Sequence, residues 1–176
     1  IYNIRFVGVD AAGNSAPETI IENITFDNDP PSISIEEPNS RTFFNNAVLS
    51  YTLSENLVSG NIIINRVSGE SDINSPHGIT LIPDLLKLGN NNLNDIKWVD
   101  GATYSLEMNG SDRAGNKAKA VKLSQISYDI NPPVITINKI SNNSYINTNT
   151  LSYTLSEKLI KSTVIFTQVG GVSDKT

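Results

Sequence analysis

The chain has no cysteine, and among its 176 residues it holds one histidine, one methionine and one tryptophan. The missing thiols exclude disulfides, thiol nucleophiles and thiolate metal sites, and a single histidine without cysteine excludes the usual zinc sites. Basic residues are few and scattered, thirteen Lys and Arg against eighteen Asp and Glu, for a net charge of −5 and a pI near 4.8. Without a basic stripe to meet a phosphate backbone, nucleic acid is not an expected partner. No apolar run approaches the length of a membrane span, so no membrane insertion is expected of this segment. Gly69 and Gly170-Gly171 lack the Lys and Ser/Thr of a phosphate loop and read as turns. Asp72, Ser75 and His77 crowd one short loop, too close for nucleophile, base and orienting acid to converge, and read as turn or cap residues. No acid–base pair or nucleophile–base set can be assembled, so an enzyme is not expected.

What the chain does have is itself, twice. Asp10-Ala11-Ala12-Gly13-Asn14 returns as Asp112-Arg113-Ala114-Gly115-Asn116, and Asp29-Pro30-Pro31 returns as Asn131-Pro132-Pro133. Leu49-Ser50-Tyr51-Thr52-Leu53-Ser54-Glu55 returns as residues 151–157. Each pair is separated by 102 residues, with no gap. A fixed period of this kind signals a tandem array of supersecondary or domain-sized units. The frame predicts the C-terminal strands of one truncated unit over 1–28, a complete unit over 29–130, and the N-terminal strands of a third over 131–176. The chain is thus expected to be a piece of a longer protein.

Within the complete unit, apolar residues alternate with period two, the signature of strands. Strands are expected over 32–35, 48–53 and 61–67, the last with Ile62, Ile64 and Val67 turned inward. Residues 103–109 place Tyr104, Leu106 and Met108 on one face. In 119–130 the phase slips between Val121, Leu123 and Ile126, Tyr128, and the first unit repeats the slip, which predicts a β-bulge. One helical turn is expected over 83–88, closed by Gly89, then a polar loop over 90–95 and a strand over 96–99 carrying Trp98 in or near the core. Short strands separated by turn signals suggest a β-sandwich. Asp100-Gly101 with Tyr104 stands where immunoglobulin-like sandwiches place the tyrosine corner.

Taken in order, Asp29-Pro30-Pro31, Leu53-Ser54-Glu55, Ser59-Gly60, residues 69–72, Ser75-Pro76-His77, Leu88-Gly89, Asp100-Gly101 with Tyr104, Asp112-x-Ala114-Gly115-Asn116 and Tyr128-Asp129 carry a family likeness. The unit resembles the bacterial immunoglobulin-like repeats of large surface adhesins and cell-envelope proteins. The resemblance implies an all-β, immunoglobulin-like sandwich in tandem, placed outside the cell at the bacterial surface, and the absence of cysteine fits export. It implies a non-enzymatic spacer or adhesion module whose partners are the neighbouring repeats, with any host-surface or matrix ligand held by the parent protein. It also implies calcium (Ca2+) at domain junctions. A carbohydrate- or protein-binding module that contacts its ligand directly is the alternative, but the few aromatic residues fall mostly at inward strand positions.

In such a sandwich, the loops after the second and sixth strands share an end with the N-terminal linker. That gathers Asp27, Asp29, Glu55, Asp112 and Asn116 at the first junction. The turn bearing Asp100 faces the other end, with Asp129 and the next unit's Glu157. Hard cations such as calcium take six to eight oxygens of this kind. The competing reading makes Asp112 the cap of a tight turn in which Gly115 supplies positive φ, leaves Glu55 solvated and makes Asp29 a turn former. Asn131 in place of Asp29, and Lys161-Ser162 in place of Ser59-Gly60, make the second junction the weaker candidate.

Overall fold

Period-two alternation governs the strands that supply most of the core in the computed structural model, which describes residues 1–172. Positions 173–176 of the expected third piece lie outside the described residues. The elements are β1 (Tyr2–Phe6), β2 (Thr19–Ile24), β3 (Ile33–Glu37), β4 (Phe43–Phe44), β5 (Leu49–Leu53), β6 (Ser59–Gly69) and β7 (His77–Thr80). A 3-10 turn (Pro83–Leu85) follows, then β8 (Gly89–Leu93), β9 (Ala102–Ser111), β10 (Val121–Tyr128), β11 (Ile135–Asn138) and β12 (Ser152–Leu155). The chain divides into two compact units, Ile1–Ile130 and Asn131–Thr176.

In the first unit, a three-stranded sheet in the order β3-β5-β8 shares one core with a five-stranded sheet in the order β4-β10-β9-β6-β7. All pairings are antiparallel except β4 with β10. Leu49, Tyr51 and Leu53 point inward from β5, Ile62 and Ile64 from β6, Tyr104, Leu106 and Met108 from β9, and Ile126 from β10. The architecture is the immunoglobulin-like sandwich expected. β1 and β2 form a separate antiparallel hairpin.

The bulge lies where the phase slip placed it. The β9–β10 register shifts between Leu123 and Ile126, and Gln125 takes a left-handed conformation at φ 55°. In the first hairpin the shift falls between Tyr2 and Ile4, with Asn23 at φ 58°. An extra residue in one strand restores an inward direction to the apolar side chain that follows.

Three local expectations need correction. Val67 is exposed, because a second register shift between Arg66 and Ser68 turns it out of the core. Residues 90–95 are not a polar loop: β8 runs through three asparagines and pairs with β5. There the Ser50 hydroxyl donates to Asn92 Oδ1 at 2.6 Å and Thr52 to Asn90 Oδ1 at 2.8 Å, while buried Asn91 donates to the carbonyls of Lys87 and Gly89. Conversely, residues 96–99 form no strand, although Ile96 and Trp98 are buried. Trp98 stacks edge-on against Phe44 and Tyr104, with ring centroids 5.1 and 5.0 Å away.

In the second unit, β11 and β12 form an antiparallel hairpin that pairs Ile135 with Leu155 and Ile137 with Tyr153. Ile135, Ile137 and Tyr153 are exposed, as are Val164 and Phe166 beyond the hairpin.

Candidate functional site

The Asp-x-Ala-Gly-Asn motif folds the same way in both copies. Asp112 Oδ1 accepts the backbone N–H groups of Gly115 and Asn116 at 2.7 and 2.8 Å, and its Oδ2 accepts the Asn116 side-chain amide at 2.8 Å. Asp10 Oδ1 likewise accepts the N–H groups of Ala12 and Asn14, and its Oδ2 the Asn14 amide. Gly115 and Gly13 both sit at positive φ, where a Cβ would be strained. The turn is therefore set by its own residues, and in this respect the capping reading of Asp112 holds.

The two copies differ in their surroundings. Asp112 is only 2% exposed. Its carboxylate lies with those of Glu55, on the β5–β6 connection, and Asp27, on the segment entering the sandwich, so that one oxygen of each falls within 4.8 Å of the others. Among the described residues no ion pair reaches any of the three. Burial raises the Glu55 carboxyl above its ordinary value, and the charges of Asp112, Asp27 and Asp29 push it further the same way. Burial also pushes Asp112 upward, but the hydrogen bonds from Asn116, Gly115 and Ala114 outweigh it and hold the group below the usual carboxylate range. Asp112 therefore stays ionised, and Glu55 carries the repulsion.

Of the five residues expected at the first junction, the structure brings Asp27, Glu55 and Asp112 into one cluster. Asp29 stands outside that trio; its backbone N–H caps back onto Asp27 Oδ1 at 3.1 Å. Asn116 turns its amide nitrogen inward, to Asp112 Oδ2 and to the Asp27 carbonyl at 3.2 Å, and so ties the entering segment to the turn. A hard divalent cation suits this donor set: three carboxylates from three segments, with no basic side chain paired to them among the described residues. Asp27, Glu55 and Asp112 are the residues that would hold it.

At the other end of the first unit, Asp100 Oδ1 accepts the Ile130 N–H at 2.9 Å, and the Asp129 N–H donates to the Phe44 carbonyl at 3.0 Å. Glu157 belongs to the second unit, just after β12, and is exposed there.

One polar constellation escaped the sequence reading. Asp72 and His77 do meet, His77 Nε2 lying 2.6 Å from Asp72 Oδ2, but the third member is Tyr104, whose hydroxyl donates to the same oxygen at 2.9 Å. Ser75 is engaged elsewhere, accepting the Arg66 N–H. The Tyr104 hydroxyl also accepts the Val99 N–H at 2.9 Å, which is the expected tyrosine corner. Burial pushes Asp72 upward, yet hydrogen bonds from His77, Asn74 and Tyr104 leave it below its ordinary value. The network fastens the β6–β7 loop to β9. Only the corner tyrosine gave a sequence signal for it.

An all-β sandwich of this topology with a tyrosine corner defines an immunoglobulin-like domain. Residues 92–176 match the family model of the bacterial Ig-like domain (group 3), a match consistent with a bacterial Ig-like repeat. The matched stretch begins in β8 and crosses the division between the two compact units. No curated protein matches the chain. Bacterial Ig-like domains are typically surface or extracellular modules, generally of a binding or structural kind. No helix is long and apolar enough to cross a membrane among the described residues.

Proposed function

We propose that this chain is a non-enzymatic, extracellular spacer segment of a large repetitive bacterial surface protein, with calcium stiffening the junction at the head of the complete repeat. The observation that carries the reading is the approach of Asp27, Glu55 and Asp112 to within 4.8 Å across three separate segments. One of those segments is the linker itself. A cation held there would tie the linker to two loops of the sandwich and replace carboxylate repulsion with attraction. Its chemistry would be electrostatic only; the chain's own residues already fix the turn, through Asp112, and the linker, through the Asn116 bond to the Asp27 carbonyl. The recurrence of the turn and bulge 102 residues apart supports an array of like units.

The test is thermal unfolding of the full chain with calcium and with chelator. Calcium is expected to raise the melting temperature reversibly, and Glu55→Gln and Asp27→Asn to remove that rise. Identical melts with calcium, chelator and magnesium would reject the cation. Reproducible micromolar binding on a glycan array would overturn the spacer role in favour of a ligand-binding module.

A further inference from the structure

Two clefts of nearly the same size lie 102 residues apart in the chain. The first, of about 380 Å³, is framed by the end of β3, by β4 and by the start of β5. The second, of about 370 Å³, has the same place in the second unit, between the end of β11 and the start of β12. Every residue that lines the first has its counterpart, 102 positions on, lining the second. The cleft is therefore a property of the repeat, and it forms in the complete sandwich, where no strand is missing.

An exposed aromatic ring lines each cleft, Phe43 in the first and Tyr145 in the second. β4 turns Phe44 against Trp98 and Tyr128, whereas Phe43 is 80% exposed. Core packing accounts for Phe44 and requires nothing of position 43, yet an aromatic residue returns at 145. Neutral hydrogen-bonding groups return with it, Asn45 as Asn147, Asn46 as Thr148 and Ser50 as Ser152. The charge does not return: Glu37 becomes Lys139. A ligand common to both copies is thus not recognised through charge of either sign.

In the complete repeat the cleft continues over the outer face of the β3–β5–β8 sheet, into a second of about 490 Å³ that shares Glu37 and Ser50 with it. Exposed Asn90 and Asn92 line this extension. The bonds from Thr52 and Ser50 engage their amide oxygens, so the amide N–H groups are what they offer a ligand.

We propose that this cleft is a glycan-binding site carried by each repeat, and that its ligand is an uncharged polysaccharide chain. The apolar C–H face of a pyranose ring suits the negative face of an aromatic ring. Amides and hydroxyls meet sugar hydroxyls as both donors and acceptors. One ring and a few neutral groups make each site weak, on the order of millimolar, and so short of the micromolar binding that would displace the spacer role. Repetition along an array supplies avidity. The spacer reading is extended by this contact, in which Asp27, Glu55 and Asp112 take no part.

The experiment is native electrophoresis of the full chain through gels cast with dextran, laminarin or mannan, beside a plain gel and one cast with dextran sulfate. At least one of the three neutral glycans is expected to retard the chain. Phe43→Ala and Tyr145→Ala are each expected to weaken the retardation several-fold and the double variant to abolish it, while Phe43→Tyr keeps it. Both rings are exposed, so the variants are expected to stay folded, which fluorescence of the buried Trp98 checks. A parent unretarded in all three neutral gels overturns the proposal. So does retardation by dextran sulfate alone, a charge effect, and so does a double variant retarded as strongly as the parent. Retardation by poly-L-proline and by none of the glycans would make the cleft a peptide groove and overturns it too. Calcium has no part in any of these outcomes.

Discussion

The β9–β10 pair and the β1–β2 pair occupy the same place in the 102-residue repeat and differ most in burial. Tyr104 is fully buried while Tyr2 is 61% exposed, and Met108 is fully buried while Phe6 is 69% exposed. Yet both pairs keep the same register, the same bulge with a left-handed residue, and the same carboxylate-capped turn. Register, bulge and turn are therefore written into the hairpin itself, through side-chain phase and the Asp-x-Ala-Gly-Asn hydrogen bonds. The core is not; it requires the opposing sheet. An isolated two-stranded hairpin is marginal in water, so what distinguishes the copies is stability rather than shape.

Paired substitutions sharpen this contrast. Leu106→Ala is expected to cost about 3 kcal/mol, as core truncations do, and Ile4→Ala at the matching position to stay within about 0.5 kcal/mol; urea melts followed at Trp98 compare them. Gly110→Ala comes next, at about 2 kcal/mol. A Cβ there would meet Leu57 Cδ1 at 2.6 Å and the Ser59 carbonyl at 2.8 Å, whereas at Gly8 the nearest atom is Phe6 Cε1 at 3.9 Å. Equal melts for Gly110→Ala and Gly8→Ala would break the comparison.

Tyr104→Phe is expected to cost about 1–2 kcal/mol, because it leaves the Val99 N–H and the Asp72 carboxylate each short of a partner; Tyr2→Phe should change nothing. The same phenol gives a pH test. Burial pushes Tyr104 and Tyr51 up to about 12 from an ordinary value of 10.0. The folded state keeps those protons where the unfolded state sheds them, so stability is whole below pH 10 and falls as pH rises toward 12. Tyr104→Phe should flatten that fall, as read from melts at stepped alkaline pH. The smallest effect is that of Glu55→Gln without calcium, a slight gain in melting temperature from relieved repulsion, with no gain for the remote Glu18→Gln on β1's hairpin.

Much of the fold could be read from residues whose spacing states their role. The bulge followed from the phase change between Leu123 and Ile126, and the corner from Asp100-Gly101 with Tyr104. The acid cluster followed from topology, since Asp27, Glu55 and Asp112 are distant in the chain and only the sandwich brings them to one end. The failures have a common cause. β8 is polar, and its stability comes from asparagine side chains pairing across to Ser50 and Thr52, which no hydrophobic period reports. Two-residue β4 exists only because β10 offers it an edge. Asp72 and His77 lie too near each other in sequence to suggest convergence, and it is Tyr104, from a distant strand, that completes their network.

That short β4 matters when the chain is pulled. It runs parallel to β10, the strand through which the chain leaves the complete repeat, with Arg41 N–H bonded to the Ser124 carbonyl, Ser127 N–H to that of Thr42 and Asp129 N–H to that of Phe44. Tension on the two ends draws these neighbours in opposite directions along their own axes. Their bonds are then strained together in shear instead of parting one after another like a zip. Few bonds though these are, they load at the same moment, and β4 is where the module would hold or slip.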